Sequence, residues 1–103
     1  MSFEKWSFTF EGAFESPEPL PEVAGVYVVW SRNGEDEWDV LDVGQAENVR
    51  QRLLVHNRRD CWKRLCLGTI YYSACPMPES NEEERRRVEA VIRKQADPPC
   101  AGF

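Results

Sequence analysis

Tyr27 ends the tripeptide Gly25-Val26-Tyr27, and Asp42 opens Asp42-Val43-Gly44. Arg52 and His56 then follow four residues apart, and Glu89 lies on a later segment. A phenol, a guanidinium, an imidazole and a carboxylate form a coherent chemical set. Phosphodiester hydrolysis needs a group that takes a proton from water, cations facing the charge that develops on phosphate, and a carboxylate for a divalent ion. Each residue alone has an ordinary explanation. Tyr27 would be a buried aromatic, and Arg52 with His56 a surface pair. Glu89 would be a snorkelling or salt-bridged carboxylate among Arg85, Arg86, Arg87 and Arg93. Their weight lies in their joint order along the chain.

The elements that must position them follow from local pattern. Residues 25–30, Gly-Val-Tyr-Val-Val-Trp, are β-branched and aromatic and predict a buried strand. Asn33-Gly34 signals a turn, lengthened by Glu35-Asp36-Glu37. Residues 38–43 alternate Trp38, Val40 and Asp42 against Asp39, Leu41 and Val43, predicting a half-buried strand antiparallel to the first. A helix is expected over 46–56, with Val49, Leu53 and His56 on one face and Arg52 at its border. Residues 60–65 add a further helical turn. Residues 68–75 predict a third strand, ended by Pro76 and Pro78. Ser80-x-x-Glu83 reads as a capping box opening a helix to about residue 95, with Val88, Val91 and Ile92 as its apolar stripe, and Pro98-Pro99 stops it. The expected fold class is α/β of the α+β kind: a small central three-stranded antiparallel sheet flanked by helices. Ahead of it, residues 1–22 read as an N-terminal extension or short strand (Phe8-Thr9-Phe10) plus a Pro-rich arm, since Pro17, Pro19 and Pro21 exclude helix and central strand. Residues 23–100 form the domain proper.

Composition limits the possibilities further. The 103 residues suffice for one modest core, and 42% hydrophobic with 30% charged is a globular balance. No apolar run approaches the ~20 residues of a membrane span. Met1-Ser2-Phe3-Glu4-Lys5-Trp6 has neither the basic start nor the apolar core of a signal peptide, so a cytoplasmic address is expected. Free thiols are then expected for Cys61, Cys66, Cys75 and Cys100. His56, Cys61 and Cys66 are five apart, which spreads them around a helix and argues against structural zinc. The net charge of −5 is uneven: residues 1–42 carry −8, residues 43–67 carry +4 and the remainder −1. Arg50, Arg58, Arg59, Lys63 and Arg64 in the basic segment, with Arg52, suit a face that contacts phosphates. A solvated helix surface would carry the same charges.

Taken in order, Gly25-Val26-Tyr27, Asp42-Val43-Gly44, Arg52, His56 and Glu89 resemble the GIY-YIG nuclease family, over residues 25–99. The resemblance implies that Tyr27 is the first-motif tyrosine near the attacking water, acting as general base. It implies that Arg52 stabilises the phosphate, that His56 is the histidine one turn later, and that Glu89 holds one Mg²⁺ or Mn²⁺ ion. Asp42 stands where the second motif has tyrosine, and Ala101 follows the final prolines where the family commonly has asparagine. The expected function is therefore metal-dependent endonuclease or phosphodiesterase action on nucleic acid. The chain would bind its substrate weakly alone and take specificity from a protein partner or from substrate structure. Asp42, Ala101 and the acidic balance leave an alternative: a catalytically inactive module of the same fold that binds nucleic acid or protein. A redox or metal module built on the cysteines is a third, weaker reading.

Overall fold

The buried strand expected from Gly25-Val26-Tyr27 is the centre of the molecule. In the computed structural model, which describes residues 1–101, it is β3 (Gly25–Arg32), paired on both sides. Four further strands surround it: β1 (Ser2–Lys5), β2 (Phe8–Phe14), β4 (Trp38–Ala46) and β5 (Thr69–Pro76). All pairings are antiparallel, and the spatial order is β1-β2-β5-β3-β4. The fold is thus α+β, as expected, but the sheet has five strands where three were expected. The difference comes from residues 1–22. They supply the β1–β2 hairpin at the edge of β5, and beyond it Leu20 is fully buried in the core.

Two hydrophobic layers sandwich the sheet. Tyr27, Val29, Leu41, Tyr72 and Ala74 pack beneath α1 (Val49–Leu54) and α2 (Arg59–Leu65), joined by Val49, Leu53, Trp62 and Leu20. On the other face, Val26, Val28, Trp30, Val43 and Cys75 meet Phe10 and Ile92, the latter on α3 (Glu82–Ala96). β4 departs from simple alternation. Its register moves by one between the Val29–Asp42 and Trp30–Val40 pairs, which leaves Leu41 as the extra residue of a bulge. Leu41 joins the α1–α2 side, the Asp42 carboxylate bonds Trp62 on that same side, and Val40 and Val43 lie opposite. The strict alternation read from residues 38–43 therefore fails at one point. That point sets where Asp42 faces.

The helices are also adjusted locally. The helix expected over 46–56 begins at Val49, because β4 runs on through Ala46 and the Asn48 side chain accepts the Gln51 N–H at 3.1 Å. It ends at Leu54, so His56 lies in the turn before α2. The capping box of α3 is Asn81 with Glu84, one residue past the expected Ser80 with Glu83. Ser80 is engaged otherwise: its hydroxyl donates to Met77 O at 2.6 Å, and its carbonyl accepts from Arg85 at 2.9 Å. Among the described residues no helix is long and apolar enough to cross a membrane.

Candidate functional site

The site begins with a glycine. Gly44 on β4 pairs with Tyr27 on β3, and a Cβ at residue 44 would stand 2.1 Å from the Tyr27 hydroxyl. Only glycine lets the phenol lie across the neighbouring strand. The hydroxyl then reaches Nε2 of His56 at 2.6 Å, the two rings meeting edge to face. His56 is held from behind, where Nδ1 accepts the backbone N–H of Arg58 at 3.0 Å. Because Nδ1 is an acceptor, the ring proton of the neutral imidazole sits on Nε2, and His56 donates to the Tyr27 oxygen. The Tyr27 proton is left available to another acceptor.

The environment keeps both groups neutral. Burial pushes the Tyr27 phenol up to about 12, with the Asp42 carboxylate adding to the rise and Arg58 and Arg52 opposing it. Glu89 also raises it, which brings Glu89 within the electrostatic reach of this hydroxyl. Burial, followed by the charges of Arg52 and Arg58, lowers His56 to about 3. Glu89 lies on α3 with its side chain 15% exposed and 3.3 Å from Arg93. Burial raises its pKa and Asp42 adds to the rise, against the pull of Arg93, Arg86 and Arg58.

Asp42 is fully buried and fully engaged. One carboxylate oxygen accepts the Val43 N–H at 2.8 Å, and the other accepts Arg58 Nε and Trp62 Nε1, each at 2.8 Å. Arg58, counted in the sequence among surface cations, is therefore a half-buried partner of Asp42. Trp62 as its companion carried no local signal. Arg52 turns back onto its own loop, donating to Val55 O at 3.3 Å and to Asn57 Oδ1 at 3.0 Å. Arg50 braces the proline arm through Leu20 O at 2.6 Å and Glu22 at 3.0 Å. Of the expected phosphate-contacting residues, Arg59, Lys63 and Arg64 stay exposed on α2. A polar pocket of about 260 Å³ is lined by Asn57, Arg58, Cys61 and Arg64. A second, apolar pocket of about 300 Å³, lined by Phe3, Lys5, Ala13, Trp30 and Trp38, shares no residue with this cluster.

No protein-family model, curated protein or solved structure matches the chain. The site must be read on its own geometry. Tyr27, Asp42, His56 and Arg58 form one bonded network, and Glu89 and Arg52 act on it through their charges. No group of three or more His, Cys, Asp or Glu side chains among the described residues is placed to hold a metal. Glu89 is a single carboxylate, which suits a hard divalent ion that keeps most of its ligands as water or substrate oxygen. Asp42 is no second ligand while Arg58 and Trp62 occupy its outer oxygen. The free thiols expected for Cys61 and Cys100 are instead a disulfide, with Cα atoms 5.9 Å apart. It links α2 to the segment after α3. Cys66 and Cys75 remain unpaired.

Proposed function

We propose that this protein is a GIY-YIG-like, metal-dependent phosphodiesterase or endonuclease acting on nucleic acid. The observation that carries the reading is the 2.6 Å hydrogen bond from His56 to Tyr27, set beside Arg58 and within the field of Glu89. Arg59, Lys63 and Arg64 offer the exposed cations that would track a phosphate backbone. A divalent ion on Glu89 would supply charge neutralisation of the phosphate and acidify a water ligand. Tyr27, with its pKa near 12, enters as a phenol. Its proton is not used by His56, so a phosphate oxygen or water that reached this nearly buried hydroxyl would be oriented rather than deprotonated at neutral pH. His56 is no base either, since one nitrogen carries the proton given to Tyr27 and the other is occupied by the Arg58 N–H. Arg58 and Arg52 provide positive potential next to the hydroxyl. This revises the general-base role that the resemblance implies for Tyr27.

The test is incubation with Mg²⁺ or Mn²⁺ and branched, nicked and single-stranded DNA and RNA. Glu89→Gln should abolish cleavage while leaving stability within about 1 kcal/mol, since it gives up one i,i+4 ion pair but also relieves a half-buried charge. Equal cleavage by Glu89→Gln and the parent would end the reading.

One observation favours a second reading, binding without cleavage: Asp42 and Tyr27 are 0% and 1% exposed, and every oxygen of Asp42 is engaged. Salt-sensitive binding by the parent with no cleavage of any substrate would select it.

A further inference from the structure

The Cys61–Cys100 disulfide borders the polar pocket on one side only. Cys61 lines that pocket with Asn57, Arg58 and Arg64 and is 8% exposed, whereas Cys100 is completely buried. The charges around Cys61 are unequal in effect. Arg58 is paired with Asp42 at 2.8 Å. Asn57 receives Arg52 through its side-chain oxygen. Arg59 opens α2 with Asp60 beside it in the first turn, and Lys63 and Arg64 lie in the last turn. Arg64 has no ion-pair partner among the described residues, and it lines the pocket. The pocket therefore offers a small anion an unpaired guanidinium beside a disulfide sulfur.

We propose that Cys61–Cys100 is a thiol-exchange site, reached through this pocket by small anionic thiols and attacked at Cys61. In the first step the thiolate sulfur of the incoming molecule bonds to Sγ of Cys61. The bond to Cys100 breaks, and the Cys100 sulfur leaves as a thiolate that takes a proton from solvent. In the second step another thiolate attacks the external sulfur of the mixed disulfide, and Cys61 leaves as a thiolate. Two thiols become one external disulfide, and two electrons pass to the protein. Neighbouring positive charge favours both steps by attracting the nucleophile and stabilising the departing Cys61 thiolate. Exchange would release one anchor on the segment after α3. The Cys100 N–H bond to Leu41 O at 2.9 Å, next to Asp42, would remain as a further anchor. None of this depends on the phosphodiesterase reading, because its readout is thiol chemistry.

The experiment uses the folded full chain. A non-reducing digest should yield the Cys61–Cys100 linked peptide. Reduction is then timed with 2-mercaptoethanesulfonate, 2-mercaptoethanol and cysteamine at equal thiolate concentration, with alkylation and mass spectrometry. The anionic thiol should react fastest, on the order of tenfold over the cationic one, and salt should compress the difference. Trapped adducts should map to Cys61, and Arg64→Gln, an exposed position, should flatten the charge preference. A missing linked peptide, an equal or inverted order of thiols, adducts on Cys100, or reduction only after denaturation would each overturn the proposal.

Discussion

At the scale of single residues, the site rests on Gly44, Tyr27 and His56. Gly44→Ala would drive a methyl into the phenol, displacing it from His56 at a cost of about 1–3 kcal/mol by overpacking. Urea unfolding measures the loss, and the Tyr27–His56 contact should disappear from NMR spectra. His56 makes a pH prediction whose sign is fixed. Its folded pKa, about 3, lies below the ordinary 6.5, so the unfolded chain gains the proton first as pH falls. Stability is therefore undiminished by this group above pH 6.5 and declines between 6.5 and 3, by up to ~1.4 kcal/mol per pH unit. His56→Gln should remove that part of the slope while other acid-sensitive groups continue to act, and unfolding at neutral and mildly acidic pH would read the difference. All three residues were visible in the sequence. What was not visible was the direction of the hydrogen bond, because that depends on the Arg58 N–H behind the imidazole.

At the scale of elements, the bulge in β4 decides what Asp42 touches. Residues 38–43 alternate equally well with or without an extra residue, so no sequence pattern could say that Leu41 and Asp42 share a side. That slip aims the Asp42 carboxylate at Arg58 and Trp62. Asp42→Ala should cost about 3–5 kcal/mol, because it strands a mostly buried guanidinium and an indole N–H. Asp42→Tyr installs the residue usual in the second motif of the GIY-YIG family that the sequence resembles, yet it should destabilise comparably and yield no gain in cleavage. Thermal unfolding and a nuclease assay on the same preparation check both halves. The capping box gives a similar lesson. Ser80-x-x-Glu83 and Asn81-x-x-Glu84 both satisfy the pattern, and the choice is made by what else holds Ser80. Strands β3 and β5 were legible as runs rich in β-branched and aromatic residues, and helix α3 from its cap and the prolines after it. Of its expected apolar stripe Ile92 is buried and Val88 half-buried, but Val91 is 46% exposed. The six residues of α1 were overextended because Ala46, Glu47 and Asn48 favour no early break until β4 and the Asn48 cap are seen.

At the scale of the whole molecule, long-range closure was the least legible part. Residues 1–22 looked detachable, yet they add two strands and bury Phe10 and Leu20. Cys61 and Cys100 are separated by 39 residues, and nothing local announces their pairing. Closing a loop of that length in the unfolded chain stabilises by about 4 kcal/mol in the entropic account, so Cys100→Ser should lower stability by roughly that amount in denaturant titrations. The same C-terminal segment has another consequence. β4 is an outer strand, and outer strands invite pairing with other chains. Here Leu41 O is taken by Cys100 N–H, and Val43 O by the Arg93 guanidinium at 3.2 Å. The opposite border, β1, is only four residues long and carries Glu4 and Lys5. Both margins are thus poor templates for strand addition, one by occupancy and one by brevity and charge. A chain that loses its C-terminal clasp exposes a ready docking row, and self-association into extended sheets becomes the hazard that the clasp suppresses.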